Sequence, residues 1–407
     1  MNYTKRADIS ENRQHSILSM NMLLILAISC GMSVANLYYS QPLLADMAQT
    51  FQVSARQMGT ISMLTQTGYA VGLFLFVPLG DIKEKKRLIL YLLGAVSLSL
   101  LGVAFASNPT ILGIASFAVG TTTVVPQIIV PLAAQLADAK EQGRIVGIVM
   151  SGLFFGILLA RTVSGIIGSI LGWRSMYFIA ACMMLGLDLI LFRFLPVSKP
   201  TSQLTYRQTM CSLWGFITSQ PILCEAALMG GLLFGSFSVF WTTLAFFIKQ
   251  PPYHYGAEVA GLFGLIGAAG SSFAPYAGRL ADKKGPRLVV GVASTTTLLA
   301  FVCLWLLGKN LWGLIIGVIF LDLGVQSAQI SNQARVYSLV PEAKSRLNTI
   351  YMVTYFIGGA LGSYLGMYAW SLWQWNGVCL VGSLMILFSL VIWSIGRTHQ
   401  QAQQQIH

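Results

Sequence analysis

Asp322, Gln326, Gln329 and Gln333 recur at steps of four, three and four residues, the rhythm that lines one face of an α-helix. One carboxylate followed by three amides makes a stripe of hydrogen-bonding, proton-accepting groups inside an otherwise apolar run. Arg161 is a second ionisable residue embedded in aliphatic sequence. In a bilayer such charges cost roughly 2.5–3.5 kcal/mol each on insertion scales, so each asks for a partner or a task. The stripe reads either as hydrogen-bond glue between helices or as the wall of a water-filled substrate pathway. Arg161 reads either as an attractor for an anionic substrate or as the fixed partner of Asp322 or another carboxylate. Glu225 and Asp188 read as structural charges, the second within local reach of Arg193.

A further polar concentration runs from Ala35 to Pro42, where Asn36 and Tyr39 share a helix face at i, i+3. Those two are assigned to the pathway, while Tyr38 reads as an interfacial belt residue. Gln127 and Trp241 complete the candidate substrate and proton pathway with Arg161, Asp322, Gln326, Gln329 and Gln333.

The elements that must carry these residues follow from composition. The chain has 407 residues, 55% hydrophobic and 9% charged, with a mean hydropathy of +0.70. Soluble domains carry about 25% charged residues, so an ordinary soluble fold is excluded. The net charge of +12 would suggest nucleic acid in a soluble protein; here it reports membrane topology, and no nucleic-acid partner is expected. Six cysteines without a CxxC pair imply neither a disulfide nor a metal site. No nucleophile–base set or phosphate loop is present, and the four histidines sit in tails or connectors, so neither an enzyme nor a cofactor is expected.

Apolar runs long enough to cross a bilayer recur at about 20–44, 55–78, 88–106, 110–136, 144–168, 173–195, 221–248, 257–277, 288–307, 311–337, 346–369 and 375–396. The expected fold is an all-α integral membrane protein, twelve transmembrane helices in two six-helix pseudo-symmetric halves. Its parts are an N-terminal tail at 1–19, a first half at 20–195, a linker at 196–220, a second half at 221–396 and a tail at 397–407. Twenty of the 25 Lys and Arg fall on the side shared by both termini, which places both ends in the cytoplasm. Short loops point to a bacterial inner membrane, and a monomer working in the lipid bilayer is expected.

The halves repeat. Arg144 and Arg346, Gly156 and Gly358, Trp173 and Trp375, and Gln127 and Gln329 are each 202 residues apart, and Asp81 and Asp282 are 201 apart. Gly152 and Gly156, then Gly358, Gly362 and Gly366, keep the small-xxx-small spacing that lets helices approach closely.

Gly278 to Arg287, GRLADKKGPR, resembles the loop signature of the major facilitator superfamily between its eighth and ninth helices, and PLGDIKEKKR at 78–87 is a weaker copy. The fifth run, SGLFFGILLARTVSGIIG, resembles the drug/proton antiporter and metabolite-efflux branch, with Ala160-Arg161 near where that branch has a glycine-proline core. That resemblance implies a secondary transporter working by alternating access, moving a small molecule and coupled to protons, in efflux; an uncoupled or import-mode facilitator is the alternative. It also implies cytoplasmic gating loops at Asp81, Arg144, Asp282, Arg287 and Arg346. Asp81 would meet the positive N-terminal end of the eleventh helix at Arg346, and Asp282 would meet Arg144.

Overall fold

The computed structural model describes residues 20–137, 141–197, 205–340 and 343–404. In the first half, α1 (Met20–Ala35) and α2 (Ser40–Phe51) make one crossing, followed by α3 (Ala55–Ile82) and α4 (Lys85–Ala104). Next, α5 (Pro109–Thr122) and α6 (Val125–Leu136) share a crossing, and α7 (Gln142–Leu171) and α8 (Trp173–Phe194) complete the half. The segment read as a plain linker contains a helix, α9 (Tyr206–Ser219), whose start is fixed by a capping box between Thr205 and Gln208. The second half holds α10 (Pro221–Lys249), α11 (Ala257–Ser271) with α12 (Ala274–Lys284), α13 (Pro286–Leu307), α14 (Leu311–Tyr337) and α15 (Lys344–Gln404).

Among the described residues, eleven stretches are long and apolar enough to cross a membrane, the last being Lys344–Gly396, 53 residues. As one straight helix it would span about 80 Å, far beyond a core of about 30 Å. It turns instead at Gln374 (φ 51°, ψ −140°). Beyond that point Trp375 donates to the Leu304 carbonyl and Gly396 accepts from Arg287, so the chain runs back antiparallel to α13 and makes a twelfth crossing.

Three crossings expected to be continuous are broken, each four residues before a proline. A proline offers no N–H to the carbonyl four residues back, and its ring crowds that carbonyl. Pro42, Pro126 and Pro275 accordingly fall four residues after Tyr38, Thr122 and Ser271, where α1/α2, α5/α6 and α11/α12 part. Irregular backbone at membrane depth is tolerated only where it is buried in protein or lines a cavity.

Each half is held together by close glycine contacts. A Cβ on Gly156 would collide with the Gly31 backbone and one on Gly152 with Ala27, pinning α1 to α7. The repeat does the same with Gly358 against Gly231, Gly362 against Gly235 and Gly366 against Val239, pinning the first limb of α15 to α10. Large apolar side chains such as Leu98, Ile170, Leu189 and Leu306 point outward, as a lipid-facing surface requires.

The halves meet along the side opposite the chain termini. There Thr162 of α7 donates to the Gly261 carbonyl of α11 (3.0 Å), and Gln66 of α3 donates to Ser363 of α15 (2.7 Å). At the same end Lys249 of α10 forms an ion pair with Asp46 of α2 (2.8 Å) and donates to Gln49 (2.9 Å). On the terminus-bearing side Ser345, at the start of α15, donates to Asp81 (3.0 Å), and Tyr206 of α9 donates to the Leu75 carbonyl (3.2 Å).

Candidate functional site

Arg161 stands ten residues before the end of α7, and Asp322 eleven residues after the start of α14. At 1.5 Å per residue both lie about 15 Å from the side opposite the termini, close to the middle of a core about 30 Å thick. Both are buried, at 2% exposure. Arg161 Nε donates to Gln41 Oε1 at 2.6 Å. Its guanidinium sits 4.0 Å from the Trp241 ring centroid, 4.8 Å from that of Tyr38 and 5.4 Å from that of Phe237. Three aromatic faces and one amide thus hold the cation in place, while Nη2 keeps no hydrogen-bond partner.

Asp322 interacts electrostatically with Arg161, yet no ion pair within 4.0 Å joins them among the described residues. The Trp241 indole N–H and the Ser271 hydroxyl also face the carboxylate. Neither they nor Asp322 Oδ2 makes a hydrogen bond of good geometry. Unpaired buried polar atoms are costly and rare. Four of them here belong to one neighbourhood: Arg161 Nη2, Trp241 Nε1, Ser271 Oγ and Asp322 Oδ2.

The helix breaks explain how these groups converge. Tyr38 lies in the gap between α1 and α2, and Ser271 ends α11 at its gap. The other flank is built by glycines of α11: a Cβ on Gly264 would lie 3.0 Å from Arg161 Cβ, and one on Gly267 would lie 2.9 Å from Asp322 Oδ1. Gly264 and Gly267 are about one turn apart, about 4.5 Å along the axis, so the base of the Arg161 side chain and the Asp322 carboxylate are seated against neighbouring positions of one helix.

The remaining stripe residues descend toward the terminus-bearing side. Gln326 is half-buried, Gln329 accepts from the Tyr355 hydroxyl (3.1 Å), and Gln333 donates to Asn348 (2.9 Å). Gln127 lies beside Tyr69, whose ring packs 4.3 Å from Phe356. Asn36 and Tyr39 are placed elsewhere: Asn36 contacts the Met184 sulfur of α8 (3.4 Å), and Tyr39 neighbours Tyr177 of the same helix. Tyr38 is buried against Arg161 and not at an interface. Gln41 and Ser271 carried no spacing signal of their own; the prolines four or fewer residues beyond them did.

Of the gating residues, Asp81 reaches across the halves to Ser345 and feels Arg346 electrostatically. Arg346 itself donates to Ser212 of α9 (3.2 Å) and lies over Phe216. Arg144 pairs with Glu141 at the surface (3.3 Å). The Asp282 side chain lies outside the described residues. Arg287 is held inside the second half, 3.3 Å from Glu225, with its guanidinium donating to the carbonyls of Gly396 and Trp393. Glu225 also pairs with Arg335 at 3.1 Å, a buried three-charge cluster that sequence spacing did not link.

A two-halved helical membrane protein with a charged, incompletely hydrogen-bonded centre between its halves is built as a transporter. The family model of the Major Facilitator Superfamily matches residues 23–306 and 270–406. The chain is 40% identical over 385 residues to transporter YgaY of Escherichia coli O157:H7, covering 95% of this chain and 98% of that one. It is 26% identical over 335 residues to a Helicobacter acinonychis protein bearing the name sugar efflux transporter, 80% and 82% covered. The solved structure of nucleoside transporter NupG shares the fold with a TM-score of 0.73 at 13% identity, covering 92% of this chain and 99% of that one. The chain belongs to the Major Facilitator Superfamily.

Proposed function

We propose that this transporter moves a small solute out of a bacterial cell across the inner membrane, as a monomer with both termini cytoplasmic, in exchange for protons. The observation that carries the reading is the incompletely hydrogen-bonded Asp322 carboxylate at mid-depth, beside Arg161 without an ion pair to it. A carboxylate tied permanently to a guanidinium has little reason to release or take up a proton. One left incompletely hydrogen-bonded in a buried site gains much from a proton or a cationic group. The charged and titratable groups around it are Arg161, Tyr38 and Tyr355, and of these Arg161 anchors the solute.

In alternating access the halves rock about this centre. The Lys249–Asp46 pair and the Gln66–Ser363 bond hold the outer side shut, and the Asp81–Ser345 contact with the start of α15 serves as the inner latch. The glutamine stripe lines the inner approach. Efflux is supported by the name of the Helicobacter relative and by the antiporter-like fifth crossing. Proteoliposomes holding a pH-sensitive dye test the reading: addition of sugars, amino acids and cationic dyes in turn should give proton movement with at least one of them. Saturable solute flux with no proton movement would make the protein an uncoupled facilitator.

A further inference from the structure

The central site holds a positive and a negative group whose hydrogen bonding is incomplete. Arg161 Nη2 has no acceptor, and Asp322 Oδ2 makes no well-formed hydrogen bond with the Trp241 and Ser271 groups that face it. Gly264 packs on Arg161 Cβ and Gly267 on the Asp322 carboxylate, so the two residues are carried about one helical turn apart along the same flank of α11. Arg161 and Asp322 sense each other's charge yet stay apart. A neutral polyol would hydrogen-bond to both ends but bring no charge to either. A simple cation or a simple anion would satisfy one end and leave the other.

The aromatic surroundings add a second constraint. Phe237, which faces Arg161, stacks on Phe234 (5.6 Å between centroids), and Phe234 stacks on Tyr355 (4.1 Å) and meets Phe356 edge-on (5.1 Å). An apolar wall therefore continues from the charged pair toward the terminus-bearing side.

Resting on the reading that this centre is the transport site, we propose that the solute is a small zwitterion with an apolar or aromatic side chain, the class to which aromatic and branched amino acids belong. Its carboxylate is taken by Arg161 Nη2. Its ammonium is taken by Asp322 Oδ2 with the Ser271 hydroxyl beside it, and its side chain lies on the Phe237, Phe234 and Tyr355 rings. Ammonium and proton then compete for one carboxylate, so each zwitterion leaving is exchanged for a proton entering, and the cycle moves one net positive charge.

The test uses the full-length protein in lipid nanodiscs and three probes sharing one side chain: L-phenylalanine, 2-phenylethylamine and 3-phenylpropanoate, titrated calorimetrically at pH 7. Phenylalanine should bind about thirtyfold or more tightly than either analogue, since each analogue leaves one buried charge unpaired. Asp322→Asn should bring phenylalanine down to the level of 3-phenylpropanoate, and Arg161→Gln to that of 2-phenylethylamine. This reciprocal pattern separates lost recognition from misfolding, which would abolish binding of all three alike. Equal affinities for the three probes, or no phenylalanine binding by wild type while a sugar or cationic dye drives proton movement, would overturn the inference and leave the coupling reading intact. Phenylalanine binding and flux without proton movement would do the reverse.

Discussion

Lys249 offers a quantitative handle on closure of the outer side. It bridges the halves by an ion pair to Asp46 (2.8 Å) and a hydrogen bond to Gln49 (2.9 Å), with both charged side chains one-third exposed, at 33%. Exposed pairs contribute about 0.2–1 kcal/mol, and a half-solvated hydrogen bond adds no more than a similar amount. After screening, the bridge favours the closed outer side by on the order of 1 kcal/mol, about a fivefold change in the closed-to-open ratio. Lys249→Ala should therefore raise the outer-open population about fivefold. Spin labels at exposed Asn108 and Lys309, one on each half at this end, read the change by double electron–electron resonance. Raising salt to about 1 M should shift wild type in the same direction, because the Debye length falls to about 3 Å. Adding Asp46→Ala to Lys249→Ala should shift it little further, since the two share one interaction. Identical distance distributions in wild type and Lys249→Ala at low salt would refute the bridge as a determinant of closure.

Other outcomes follow from the same packing. Glu225→Gln removes the carboxylate that pairs with both Arg287 and Arg335, two largely buried guanidiniums; thermal unfolding should show a loss of about 3–5 kcal/mol. Gly358→Val would drive a side chain into the Gly231 backbone, costing about 1–3 kcal/mol or more, read as a lower unfolding midpoint in detergent. Asp81→Asn and Ser345→Ala should each slow transport while leaving membrane insertion and yield unchanged; normal transport by both would remove the inner latch. Gly267→Ala places a methyl group 2.9 Å from Asp322 Oδ1 and should weaken solute binding more than it lowers stability, as a binding titration and a melt on the same sample will show.

Hydropathy made the crossings legible because lipid leaves an apolar helix no alternative, and the 202-residue repeat exposed the two halves. The depth of Arg161 and Asp322 was legible for the same reason: charge inside such a run stands out. Side-chain direction near the breaks was not legible from helical spacing. Asn36 and Tyr39 do share a face, but it turns toward α8, while the break before Pro42 aims Tyr38 at Arg161. The signal was present in the prolines, read one turn back. The helix inside the linker was announced by Thr205 and Gln208, a capping-box pair hidden in polar sequence. The Glu225 cluster joins three helices, and no spacing along one chain segment reveals such a meeting.

The central claim is that Asp322 carries the coupled proton, and it is tested most directly by comparing exchange with coupling in Asp322→Asn. In proteoliposomes at saturating solute, the account predicts that the variant still exchanges labelled for unlabelled solute across the bilayer but no longer moves protons or responds to a pH gradient. Solute-driven proton movement that survives in Asp322→Asn at the wild-type rate would contradict it.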